Sequence, residues 1–165
     1  MDNTPRFALP FLAPGQAQKE FFHNEALQRI DFLLCPVVEE PPRQAPPASP
    51  AIGNAYVVGV GASGAWVGHD GKIAGFGEGG WRFIAAVDGA SVIDRSSGEI
   101  LLRRGGSWEA GIVRGQEVRL GGQKVLGARQ AAIASPAGGT TIDIEGRTAI
   151  AAMLAAMRSH GLIAP

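Results

Sequence analysis

AYVVGVGASGAWVGHDGKIAGFGEGGWRFIAAVDGA, residues 55–90, is the stretch on which the fold turns. Gly59-Val60-Gly61-Ala62-Ser63-Gly64 matches G-x-G-x-x-G directly after the apolar run AYVV, the outline of a dinucleotide phosphate loop. Such a loop works only if a helix begins there and turns its N-terminus toward the pyrophosphate. Here AWVGHDGK follows, another strand-like run and an Asp-Gly turn, so the glycines predict a hairpin connection.

The same grammar continues outward on the C-terminal side. KIAGF, WRFIAAV, ASVID, EILLRR, EAGIV, EVRLG and QKVLG are short β-type runs, each bounded by punctuation such as VDGA and SSGE. This spacing predicts an antiparallel β domain over 55–127, a small sandwich or barrel, in a mainly β protein with two flanking helices. On the N-terminal side, CPVVEEPPRQAPPASP reads as a proline-rich linker or surface strap over 36–54. Before it, Gln16 to Leu34 contains neither Pro nor Gly and repeats Phe22, Ala26, Leu27, Ile30, Leu33 and Leu34 at helical spacing, predicting an N-terminal helix within 15–35. Residues 1–14, with three prolines among apolar side chains, predict an extended arm that needs a surface to lie on.

After a loop at 128–142, a second helix is expected from about Asp143 to His160, within a closing segment 143–165. Ile150, Met153, Leu154 and Met157 form its apolar stripe. Gly161 is placed for a left-handed residue past the helix end, Leu162 for the contact back to Met157, and Arg158 and His160 suit the negative end of the dipole.

Composition narrows the function classes. The 165 residues carry 15 basic and 15 acidic side chains, and no run of Lys or Arg is long enough to track phosphates, so nucleic acid is not an expected partner. No apolar run approaches a membrane span, and no export signal is visible, so membrane insertion is not expected and synthesis is expected in the cytoplasm. Cys35 is the lone cysteine and reads as a small buried hydrophobe at a helix end. His23, His69 and His160 lie in separate segments, and Ser63 sits in GASGA outside any nucleophile elbow, so neither a metal nor any other cofactor is expected. Spacing leaves a glycosidase carboxylate pair open in principle, but Glu78, Asp88, Asp94, Glu99, Glu109 and Glu117 read mostly as turn or exposed-strand residues. An enzyme is therefore not expected.

Trp66, Trp81 and Trp108 each follow glycine closely, in GAW, GGW and GSW. Exposed indoles would stack on sugar rings; buried ones would fill a β core otherwise poor in large side chains, and core filling is the plainer reading. In the first helix, Lys19 and His23 project to the same side as Phe22, Ala26, Leu27 and Ile30, whereas Phe21 and Phe32 project oppositely. Apolar residues on both sides predict a helix held between its own domain and a neighbour, with Phe21, Phe22, His23 and Phe32 as docking residues, and Glu25 and Arg29 as a surface pair. Ile150, Met153, Leu154 and Met157, surrounded by alanines, extend the docking expectation to the second helix.

The motif F-x-L-P followed by G-Q-A-Q-K-E-x-x-H-N-E-A-L-x-x-x-D, together with PPASPAIGNAYVV, GAWVGHDGKIAGFGEGGWRF and the closing G-G-T-T-x-D-x-E-x-R-x-A-I-A-A-x-L-A-A-x-R-x-H-G-L-I, resembles a family of unknown-function proteins encoded in phages, prophages and gene transfer agents of alphaproteobacteria. The resemblance implies a component of a virion-like particle: a head-spike, fibre or tail-associated element that helps attach the particle to cell-surface polysaccharide. It supplies no catalytic residue. Helices expected to dock, with cyclic symmetry the usual outcome of self-assembly, predict a homo-oligomer, a trimer or pentamer suiting a fibre or an icosahedral vertex, beside other particle proteins such as capsid or fibre. Relatives in that family are longer at the C-terminal end, which points to a base or adaptor on which a longer fibre sits. Read from the residues alone, the competing function is a carbohydrate-binding module using Trp66, Trp81 and Trp108, with or without polysaccharide-degrading activity.

Overall fold

The computed structural model describes residues 2–13, 15, 19–141 and 143–165; positions 16–18 of the expected helix lie outside them. The chain forms two compact units, residues 1–112 and 113–165. It is mainly β: the described residues form nine strands in open sheets and a helix toward each end.

In the first unit, α1 (Lys19–Leu34) precedes β1 (Val37–Val38), β2 (Ala55–Val57), β3 (Ile73–Gly77), β4 (Gly80–Ile84), β5 (Ser91–Asp94), β6 (Ile100–Arg104) and β7 (Ser107–Ala110). Antiparallel β2-β3-β4 is one sheet, and β1-β5-β6-β7 is another, in which β1 pairs parallel to β5. Among the described residues no sheet closes into a barrel. The apolar run AYVV is explained by burial on both faces of its sheet. Ala55, Val57, Ile73 and Ile84 pack with Phe32, Val38, Val92 and Leu101, while Tyr56, Val58 and Ala74 face the other way and pack with Trp66. The proline-rich strap runs alongside: Glu39 N–H donates to Ala55 O, Arg43 N–H to Val57 O, and Gly59 N–H back to Arg43 O.

Cys35, expected to be buried at the end of α1, is exposed, and two further expectations change around the arm and α1. The arm is not extended throughout: it doubles back, with Thr4 N–H donating to Leu9 O at 2.9 Å and Phe11 N–H to Asp2 O at 2.7 Å. Asp31 causes this. Its side chain is wholly buried and accepts from Thr4 Oγ1 (2.7 Å), Arg6 N (2.9 Å) and Phe7 N (2.8 Å), so the arm must curl to satisfy a buried carboxylate. Arg6 completes the attachment by donating to Gly53 O, Cys35 O and Val37 O while its guanidinium lies 5.0 Å from the Phe32 ring centre. Burial pulls that guanidinium below its ordinary value, and the nearby Asp31 and Glu39 charges oppose the shift.

The second change concerns Phe32. Only 1% exposed, it is a core residue and not an outward docking residue. Its ring presses on the β3 backbone at Gly75, where an added Cβ would stand 2.5 Å from Phe32 Cε2, so only glycine fits beneath it.

The second unit contains β8 (Val118–Leu120), β9 (Gln123–Leu126) and α2 (Ile144–Ser159). β8 and β9 pair with each other, so the expected β domain over 55–127 is divided between the two units. Asp143 caps α2 by accepting from Gly146 N–H at 2.8 Å. At the other end Gly161 is left-handed, with Gly161 N–H donating to Arg158 O and Leu162 N–H to Met157 O, the Schellman arrangement expected from the sequence. The tail then crosses residue 130, with Gln130 N–H donating to Leu162 O and Ala164 N–H to Gln130 O. No helix among the described residues is long and apolar enough to cross a membrane.

Candidate functional site

The glycine motif forms no phosphate cradle. Gly61 N–H and Ala62 N–H, which would face a phosphate in a dinucleotide loop, instead donate to the two carboxylate oxygens of Asp70, at 2.8 and 3.0 Å. Those two donations hold the Asp70 carboxyl below its ordinary range. A single 3-10 turn, Gly64–Trp66, follows in place of a helix. It also replaces the strand expected in AWVG, because the chain turns there to bury Trp66. The loop's anion seat is filled by the chain's own Asp70.

Beside this loop lies a cleft of about 230 Å³ between the two sheets' edges, walled by Val58, Val60, Asp70, Arg103, Ser107 and Trp108. Arg103 and Trp108 are cross-strand partners on β6 and β7, which puts their side chains on one face. Gly71 is the surface on which both rest. Trp108 Nε1–H donates to Gly71 O at 2.9 Å, and Arg103 Nη1 lies 2.7 Å from where a Gly71 Cβ would be. With φ of +72° as well, residue 71 has two independent reasons to be glycine. The Arg103 guanidinium is 5.9 Å from the Trp108 ring centre, half-buried, and accepted by no oxygen among the described residues.

The three tryptophans do not form a row. Trp66 is fully buried and stands nearly perpendicular to Trp81, ring centres 5.0 Å apart, with Tyr56 against both. It offers no face to a sugar, a change from the expected set that follows from the 3-10 turn folding its indole under the sheet. Trp81 is half-buried in the same aromatic group and also meets Phe76. Trp108, on the other sheet, borders the cleft beside Asp70.

On α1, the segment His23-Asn24-Glu25 turns out to serve the chain itself. His23 Nδ1 is 2.7 Å from Lys19 O within the helix. Asn24 pairs twice with the arm, accepting from Leu12 N–H at 2.9 Å and donating to Leu12 O at 3.1 Å. Glu25 accepts from Arg29 as expected, at 3.0 Å, and from Arg82 of β4 at 3.1 Å, which the sequence pattern did not reveal. The helix is thereby inverted. Its polar residues Asn24, Gln28 and Asp31 face its own unit together with Phe32 and half-buried Leu27, while Phe21 (70% exposed), Phe22 (73%), Ala26, Ile30 (45%), Leu33 and Leu34 face outward.

On α2, Leu154 is buried and Met157 half-buried, whereas Ile150 and Met153 are exposed, so the expected stripe is divided between an inner and an outer part. Among the described residues no three His, Cys, Asp or Glu side chains gather into a metal-sized cluster.

The first unit is thus a two-sheet β module clasped by an N-terminal arm and an inverted helix. Residues 23–109 match a family described as a protein of unknown function (DUF2793), and the chain belongs to that family. No curated protein matches it.

Proposed function

We propose that this chain is a structural element of a phage-like particle, assembled as a homo-oligomer through α1 and presenting its β module outward for attachment to the host cell surface. The observation that carries the reading is the inverted α1. A helix that buries an aspartate and displays Phe22, Ala26, Ile30 and Leu33 toward solvent leaves an apolar stripe that an isolated soluble unit has no use for. These four positions are spaced 4, 4 and 3 residues apart, close to the seam by which a helix packs against copies of itself. The resemblance of the sequence to phage and gene transfer agent proteins supports the particle context.

Light scattering on the purified chain tests the assembly step. Wild type is expected to be oligomeric, and Ile30→Glu to be monomeric with unchanged circular dichroism. A wild-type monomer that never co-purifies with particles would remove the proposal.

A second reading, a carbohydrate-binding module, is favoured by the Trp108 cleft and is compatible with the first. A half-buried indole beside polar side chains is the usual construction of a sugar subsite, and 230 Å³ is small beside the roughly 300–1,000 Å³ of sites for larger ligands.

A further inference from the structure

The Arg103 guanidinium presents five N–H donors in a planar fork, and none is taken by an acceptor among the described residues. Half-buried arginines elsewhere in the first unit are paired: Arg82 with Glu25, and Arg6 with three backbone carbonyls. Arg103 is also held in place. Its tip rests on Gly71, its neighbour across the strands is Trp108, and Trp108 is fixed through its own bond to Gly71 O. An immobilised guanidinium at the wall of a cleft, short of acceptors, is suited to a planar carboxylate received in two parallel hydrogen bonds.

The other walls say what carries that carboxylate. Asp70 already accepts one N–H on each oxygen and keeps further lone pairs, so it can accept from hydroxyl groups but repels a second carboxylate placed against it. Ser107 adds a hydroxyl that both donates and accepts. Trp108 contributes an apolar wall. A ligand with an acid at one end, hydroxyls at the other and an apolar ring face between them satisfies all of these together.

We propose that the Arg103, Trp108, Asp70 and Ser107 cleft is a subsite for one hexuronate residue of an acidic glycan. The carboxylate lies on Arg103 and the ring against Trp108, with hydroxyls donated to Asp70. This inference rests on the carbohydrate-binding reading and specifies its ligand.

The full-length protein, labelled with ¹⁵N, is titrated with sodium glucuronate, glucose and sodium acetate while the Trp108 indole N–H is followed by NMR. Glucuronate is expected to shift that signal saturably and to bind roughly ten-fold tighter than glucose or acetate, a ratio consistent with one added charge-assisted hydrogen-bond pair. Raising the salt concentration should weaken glucuronate and leave glucose unchanged. Arg103→Gln should bring glucuronate down to the level of glucose in a protein whose spectrum is otherwise retained; the salt series on wild type gives the same answer if that variant does not fold. Equal binding of glucose and glucuronate overturns the acidic-sugar assignment and leaves the carbohydrate reading standing. Acetate binding as tightly as glucuronate overturns the sugar part. No shift with either sugar removes the subsite and the carbohydrate reading together.

Discussion

β2 and β9 begin from similar sequence, AYVVG and QKVLG, and end in different circumstances. Every residue of β2 is buried, whereas every residue of β9 is exposed. In the first unit the strands are covered on one side by α1 and the second sheet and on the other by the Trp66 aromatic group. In the second unit Leu154 and Ile163 are the only buried hydrophobic residues among those described. Both units have well-formed turns, and α2 is capped at both ends. Those local signals are enough to form a hairpin or end a helix, but a core needs elements to cover one another, and a segment as short as 113–165 has little surface to bury. The family match at 23–109 lies within the well-cored unit.

The contrast can be broken most sharply at Phe32. Phe32→Ala empties the site over Gly75 and should cost about 3–5 kcal/mol in chemical denaturation of the first unit, with α2 helicity unaffected. Had Phe32 been a docking residue, stability would be retained and assembly lost, so the two readings give opposite results. Asp31→Ala is expected next, at about 3 kcal/mol, because it strands the donors of Thr4, Arg6 and Phe7. Limited proteolysis should then cut the arm within residues 4–13; an arm that stays protected would show that Arg6 and the Asn24–Leu12 pair hold it without Asp31.

Truncation after Ile112 sharpens the comparison from the other side. The remaining first unit should keep its unfolding free energy within about 0.5 kcal/mol, while residues 113–165 made alone should show little cooperative unfolding. A large loss from the truncation would mean that the first unit depends on the second.

Acidification should produce a smaller and more local effect. Burial pushes the Asp94 carboxyl up, but hydrogen bonds from Ser96 and Ser97 outweigh it and hold the carboxyl below its ordinary value; Asp70 is held low by Gly61 and Ala62. Because both folded values are lowered, the stabilisation is present above the ordinary carboxylate range and is lost as pH falls through the lowered values. The Ser96, Gly61 and Ala62 amide signals should titrate there, and those of β3 should not. The smallest expected change in stability is at Phe22→Ser, within about 0.5 kcal/mol, since that ring is already in water; its effect should appear in oligomeric state instead.

Much of the architecture was legible from local signals. Glycine and Asp-Gly punctuation marked the strand ends, and the absence of a helix after Gly64 disposed of the nucleotide reading. Asp143 at one end and Gly161 at the other bounded α2. The cleft was legible only in part: Trp108 stood out as an indole after a hairpin glycine, but Arg103 sits in the ordinary strand run EILLRR and gave no signal until register placed it opposite Trp108. Nor could the strap's Val37 and Val38 be read as a strand, since their parallel partner β5 lies more than fifty residues away.

The sequence by itself determined where most of the elements begin and end, because turns, caps and periodicity act between residues a few positions apart. Tertiary structure alone decided which side of α1 faces inward. The helical pattern of Phe22, Ala26 and Ile30 points to an apolar inner face, yet the buried side is the one with Asp31. That choice depends on donors some 25 positions upstream and on a β3 glycine more than forty positions downstream. Burying a carboxylate is unfavourable until Thr4, Arg6 and Phe7 are folded back onto it, and no local pattern records that they will be.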